Sequence, residues 1–342
     1  GAMSRWVGGR SVLLRWASIS AERGPSVCLR LLLRDQIVPQ NSLLTLGYLP
    51  DQVDQIERAV KSEGGAIVFA GSVGAGKSTT LATLIASIPV HRKVMTLEDP
   101  VEYLIPGAVQ NTIARDVDTL SGSRFATKLM ALKRSAMTDV LLGEVRDVET
   151  GRAFVDLAGS GVSVYTTTHA ASALLAAERM ASASVGVPRD FLATPGVLKI
   201  LVYQVLLPRL CNQCALSGSA IEGLDRRLLD LIQSLFQGDV QALRFRNPQG
   251  CATCNNRQVP ELSGYLGRTV AAHCLEPALN KGYYQSLRSS NYDRFQVGQT
   301  SGALITAMDK AFSGQVDPRD IEVRIHAFET ERRLRKVFGS EP

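Results

Sequence analysis

The stretch "GSVGAGKS", Gly71 to Ser78, constrains this chain more than any other. Its spacing is G-x-x-x-x-G-K-S. It follows the apolar run "AIVFA" and precedes the helix-forming "STTLATLIAS", the strand, loop and helix context that a phosphate-binding loop needs. Glycines there let backbone N–H groups turn inward toward β-phosphate oxygens, and the helix that starts at Lys77 adds its positive dipole end. The expected cradle is Gly71, Ser72, Val73, Gly74, Ala75, Gly76, Lys77, Ser78 and Thr79. Lys77 should reach the β- and γ-phosphates and the Ser78 hydroxyl should ligate Mg²⁺. A glycine-rich turn without a ligand is the competing reading, and the matched flanks disfavour it. Nucleotide binding follows, but the output does not, because motors, kinases, transporters and switches share this loop.

At 342 residues the chain is long enough for two or three domains with their own cores. The net charge of +6 favours polyanionic ligands such as nucleotides or acidic headgroups. A basic stripe with interleaved aromatics is missing, so no nucleic-acid partner is expected. The longest apolar candidate, "ILVYQVLLP" from Ile200, has about half the length of a spanning helix, which predicts a soluble or peripheral protein. The leading "GAM" reads as an expression remnant, and the abrupt start in "SRWVGGRSVLLRW" suggests a piece of something longer.

Residues 24 to 45 read as one strand followed by a polar connection. "LPDQVDQIERAVKSEGG" reads as a capped helix with Val53, Ile56 and Val60 on one face and Gly64 and Gly65 as its stop. From Ala66 strands and helices alternate, with strands at "AIVFA", "KVMTL", "DVLLG" and "VSVYTTT", which argues for an α/β fold with a mainly parallel sheet. After Leu207 comes a cysteine-bounded insert, and from about Gly264 the pattern is mostly helical. The expected division is 1–46, 47–208, 209–258 and 259–342.

"LEDPVEY" offers Glu98, Asp99 and Glu102 after the second strand, where a γ-phosphate would sit and where a general base or water-orienting group is needed. A solvated acidic turn is the alternative. In "DVLLGEVRD" an apolar strand delivers Glu144, while Gly143 stands where many P-loop enzymes place the magnesium aspartate. Ser78 and Glu144 would then share the Mg²⁺, unless Glu144 only pairs with Arg146 or Arg152. "VYTTTHA" ends a strand in His169, a candidate γ-phosphate sensor or a structural histidine. Cys211, Cys214, Cys251 and Cys254 form two Cys-x-x-Cys pairs that suit tetrahedral zinc. Four sulfur ligands leave no open position, so the zinc would be structural; disulfides are the alternative. Cys28 and Cys274 are expected to be buried apolar side chains.

Taken together these residues resemble the secretion ATPase superfamily, in particular the assembly ATPases of type II secretion and type IV pilus systems. "GSVGAGKST" resembles its Walker A, "LEDPVEY" its acidic box, "LLGEVRDVET" its atypical Walker B and "YTTTHA" its histidine box. "GCATC" followed by "GYLGRTV" is similar to the stretch that closes its zinc knuckle. The resemblance implies a homohexameric ring of RecA-like ATPase domains, each preceded by a mobile PAS-like domain, here truncated to residues 1–46. It implies ATP, Mg²⁺ and Zn²⁺ as cofactors, and a cytoplasmic protein peripheral to the inner membrane that works on a platform protein there. It matches Glu102 to the catalytic glutamate and Glu144 to the Walker B glutamate. By position it matches Arg15 and Arg30 to two arginines that reach the nucleotide phosphates, where the strand pattern alone favours solvated surface charges. Departures occur at Ser135, Met137, Thr138, Val162, Val205 and His273, none of them phosphate-facing. The implied function is pilus or pseudopilus assembly, with pilus retraction as the alternative that the zinc knuckle disfavours. Two rivals of other classes are a DNA-handling P-loop motor and a nucleotide switch without turnover.

Overall fold

The computed structural model of the chain describes residues 2–33, 41–113, 121–221, 224–280, 282–292 and 302–338. Three antiparallel strands come first, β1 (Ala2–Val7), β2 (Arg10–Ile19) and β3 (Ser26–Leu33), paired in that order. In the β2–β3 register Arg15 lies opposite Arg30. Side chains alternate along a strand, so both arginines leave the same face of this sheet. The polar connection expected after β3 falls largely on residues 34–40, outside the described residues.

The helix expected next is present as Pro50–Lys61, with Asp51 in its first turn and Val53 and Ile56 buried. It leads into β4 (Ala66–Ala70), β5 (Val94–Glu98), β6 (Ala108–Thr112), β7 (Asp139–Leu142), β8 (Ser163–Thr168) and β9 (Leu198–Leu210). A two-stranded pair, β10 (Leu216–Ser217) with β11 (Arg244–Phe245), precedes β12 (Tyr265–Leu275). The central sheet has the order β12-β9-β4-β8-β7-β5-β6. Its pairs from β9 across to β6 are parallel, and β12 lies antiparallel on β9.

Parallel strands are covered on both faces, which is why β4 and β7 bury every residue and, apart from Asp139 at the start of β7, read as apolar runs. Ala66, Val68 and Ala70 face one core with Phe154 and Leu157, while Ile67 and Phe69 face the other with Leu84 and Ile85. Beneath the sheet the buried Arg92 donates to Asp139 through Nε at 2.8 Å, and the Tyr165 hydroxyl donates to the same carboxylate at 3.0 Å. This polar knot ties the amino ends of β7 and β8 together. The loops that leave β4, β5, β7 and β8 therefore all emerge at the opposite, carboxyl edge, where α/β sheets bind ligands.

The region from Gly264 opens with the strand β12 before its helices Tyr283–Ser289, Gly302–Phe312, Pro318–Arg324 and Phe328–Phe338. The chain thus returns to the central sheet after the cysteine segment. Within that segment the helix Arg226–Leu235 turns Ile232 and Leu235 into a third core with Phe245, Leu304 and Phe328. Among the described residues no helix is long and apolar enough to cross a membrane.

Candidate nucleotide and metal sites

β4 runs directly into the phosphate loop, whose Gly74 and Gly76 have φ of +79° and +84°. L side chains rarely adopt such angles, so glycine is required at both. Gly76 caps the helix Lys77–Ala86 without a side chain of its own, which leaves the first-turn amides for an anion. Ser72, Val73 and Ser78 are exposed at the mouth, Ala75 is buried, and Thr79 lies 3.0 Å from the Tyr103 hydroxyl.

Lys77 is buried against the loop. Its Nζ donates to the carbonyls of Gly71 at 2.8 Å and Ser72 at 2.9 Å. Burial pulls the ammonium down to about 8, and the Glu144 carboxylate opposes that in part. His169 joins these groups. Its Nδ1 is 3.1 Å from the Gly71 carbonyl and 3.4 Å from Lys77 Nζ, and its Nε2 is 3.0 Å from Glu144 Oε1. Nε2 faces a carboxylate and so carries the hydrogen. Glu144 also lies 3.5 Å from Arg146, so the pairing weighed from the sequence occurs together with the His169 contact.

Gly143 has a steric explanation. A Cβ there would stand 3.2 Å from the Leu97 carbonyl and 3.5 Å from the Glu98 Cα, because β7 packs beside β5 at this point. Any side chain there would press on the end of β5, whose backbone would have to give by a few tenths of an ångström.

The acidic box divides its three carboxylates. Glu98 accepts from Gln110 Nε2 at 3.1 Å, and burial, with the charge of Glu102 adding to it, raises its carboxyl above the usual range. Asp99 takes Arg15. The guanidinium donates to the Asp99 backbone carbonyl at 3.0 Å and lies 3.5 Å from its carboxylate, which Arg146 approaches from the other side at 3.5 Å. Glu102 is half-buried and makes no hydrogen bond or ion pair with another described residue.

These groups share one cleft. It is lined by Lys77, Ser78, Glu102, Glu144 and His169, and by Arg15 and Arg30 of the N-terminal sheet. Its volume of about 1260 Å³ exceeds the roughly 300–1,000 Å³ usual for small-ligand sites, which is room enough for a nucleoside triphosphate. Sequence reading missed Tyr103 and the hold of Asp99 on Arg15; the residues were visible within "LEDPVEY", but their contacts are long-range. Cys28 corrects an expectation. It is exposed on β3 and lines the cleft, whereas Cys274 is half-buried and its thiol is pushed up by burial.

The four insert cysteines converge. All their sulfurs lie within 4.8 Å of one another, with 3.8 Å from Cys211 to Cys251, 3.5 Å from Cys214 to Cys254 and 3.8 Å from Cys251 to Cys254. A tetrahedron with metal–sulfur bonds of about 2.3 Å has sulfur–sulfur edges of about 3.8 Å. The spacing fits that geometry and is far too long for disulfides. Backbone hydrogen bonds at Thr253 and Cys254 pull the Cys251 thiol down, while burial pushes the Cys214 thiol up.

The sequence profile described as "Type II/IV secretion system protein" matches residues 1–317. The chain belongs to that family. A type II secretion system protein E of Klebsiella pneumoniae is 32% identical over 271 residues, which are 79% of this chain and 49% of that protein. The chain therefore spans about half the length of this curated relative. The X-ray structure of the Legionella pneumophila ATPase DotB shares the fold with a TM-score of 0.58 at 18% identity, over 94% of this chain and 76% of that one. A crystal structure of the pilus retraction motor PilT with bound ADP does so with a TM-score of 0.57 at 20% identity, again over 94% and 76%.

Proposed function

We propose that the chain is the ATP-hydrolysing unit of a homohexameric motor that powers assembly of type IV pilus or type II secretion pseudopilus subunits. It would act at the cytoplasmic face of the inner membrane, on a platform protein there. The observation that carries this reading is that two arginines of a separate sheet line the same cleft as Lys77, Glu102, Glu144 and His169. A cleft lined from two sides can convert hydrolysis into relative motion of those sides.

In this reading Lys77 exchanges the neutral carbonyls of Gly71 and Ser72 for phosphate oxygens, which accept more strongly because they are charged. Magnesium, held by Ser78 and Glu144, would neutralise charge on the β- and γ-oxygens. Glu102, uncommitted to any ion pair among the described residues, takes the proton of the attacking water. His169 links Glu144 to Lys77, whose Nζ faces the Nδ1 lone pair, so a change at the γ-phosphate is felt through Lys77 at the root of the loop. Arg15 must leave Asp99 to reach phosphate, and Arg30, opposite it, follows as the sheet closes. A guanidinium that arrives only on closure stabilises the transition state more than the bound substrate. Alanine at Arg15 or Arg30 is therefore expected to lower kcat about 10³-fold while changing ATP affinity little. Steady-state hydrolysis by the purified ring measures this, and rates within about twofold of the parent for both variants would remove the coupling role.

The tetracysteine cluster supports the assembly branch over retraction and is read as a structural zinc site. About one zinc per chain is expected by elemental analysis of protein purified without chelator. Cys251→Ser should loosen the insert, raising proteolysis around Arg226–Leu235, while nucleotide binding at the distant loop persists. Metal-free protein with an intact insert would contradict this.

A further inference from the structure

One buried amide outside the phosphate-binding motif grips the loop from behind. Gln204 lies on β9, which pairs directly with β4, and its side chain has no exposure at all. Its Nε2 donates to the Ala75 carbonyl at 2.7 Å, and its Oε1 accepts from the Tyr48 hydroxyl at 2.6 Å. The orientation of the amide is forced, because a carbonyl can only accept. Burial pushes the Tyr48 phenol up, so its hydroxyl stays a donor.

The consequence is geometric. Among the described residues the one cis peptide is Asp99–Pro100, so the Ala75–Gly76 peptide is trans. In a trans peptide C=O and N–H point in opposite directions. With the Ala75 carbonyl held toward β9, the Gly76 amide faces away from β9, on the side of the cleft. Gln204 also fits closely against both glycines that bracket the motif. Its backbone carbonyl would stand 2.5 Å from a Cβ on Gly71, and its Nε2 3.4 Å from a Cβ on Gly76.

We propose that Gln204 is a positioning residue for phosphate binding, which holds the Ala75–Gly76 peptide turned so that the Gly76 amide meets the β-phosphate. Tyr48, on the segment that joins the N-terminal sheet to the ATPase core, holds Gln204 in turn. The inference rests on the nucleotide-binding reading above. Without the Nε2 donor the peptide can flip and present its carbonyl, a repulsive group, to the phosphate. The loss falls on ligands with a β-phosphate and spares contacts made by the base and ribose.

The test compares MgADP and AMP binding by calorimetry for the parent, Gln204→Leu and Tyr48→Phe, with thermal unfolding of each in the absence of nucleotide. Gln204→Leu should raise the Kd for MgADP about tenfold or more and that for AMP by less than about twofold. Tyr48→Phe should shift MgADP the same way by about two- to fivefold, since the amide loses its stop but keeps its donor. A folded Gln204→Leu protein that binds MgADP within about twofold of the parent overturns the proposal, as does an equal loss for both nucleotides, which would mark a merely structural role. Should Gln204→Leu fail to fold, Tyr48→Phe decides, and an unchanged ratio of MgADP to AMP affinity overturns the proposal. A parent protein that binds neither nucleotide would overturn the nucleotide reading itself, and this inference with it.

Discussion

Alanine in place of Lys77 is expected to weaken MgADP binding about 10- to 100-fold at neutral pH and to abolish ATP turnover. The range follows from a hydrogen bond to a charged group, worth about 1.5–3 kcal/mol, at 1.4 kcal/mol per factor of ten. Lys77 is already desolvated and aimed along the loop, so little further ordering opposes the contact. A pH profile separates this role from a general loss of structure. Burial has pulled the free enzyme's Lys77 down to about 8, with Glu144 opposing in part, and a bound phosphate anion must raise it again. Above pH about 8 the free enzyme carries a neutral amine, and binding must then take up a proton. MgADP affinity should accordingly fall as pH rises past about 8, by at most about tenfold per unit. In Lys77→Ala that slope should vanish. Calorimetry in buffers of different ionisation enthalpy measures both quantities, and an alanine variant with parental affinity and slope would remove the phosphate-loop reading.

How far the sequence announced these groups depends on how local their signals are. The loop from Gly71 to Ser78 was legible because strand, glycines, lysine and helix are contiguous, β4 and Val140–Leu142 because buried parallel strands read as apolar runs, and β8 because valine, tyrosine and threonine favour strands. β6 carries Gln110, Asn111 and Thr112 at the edge of the sheet, and β12 carries Gly267 and Arg268. Neither is apolar enough to stand out, since their pairing is set by distant partners. The zinc spacing was local and the four sulfurs do converge. Arg15 and Arg30 came from resemblance alone, because a guanidinium on a half-exposed strand has no periodic signature. Gln204 lay inside "ILVYQVLLP", where an apolar run hides an amide that touches the loop. Cys28 was misjudged because a free cysteine is usually buried, whereas β3 turns this one toward an open cleft.

Glu144→Gln is expected to leave nucleotide binding within a few-fold of the parent and to slow turnover about 10²- to 10⁴-fold, the range for a positioned ionisable group. Glutamine keeps the volume of Glu144 and can still accept from His169 Nε2, so the link through Nδ1 to Lys77 can survive. What it loses is the charge, which in the proposed mechanism helps Ser78 to organise magnesium and water. The same charge acts on Lys77, raising it against the effect of burial. Its removal should let Lys77 fall below about 8, so the decline of MgADP affinity with pH should begin at a lower pH than in the parent. The two readouts answer different questions. Slow turnover with an unshifted pH profile would assign Glu144 to magnesium and water alone. A shifted profile with undiminished turnover would make it an electrostatic partner of Lys77 and move the catalytic burden to Glu102. Both effects together are the expected result, because the carboxylate reaches His169, and through it the lysine, from the end of the strand beside the phosphate loop.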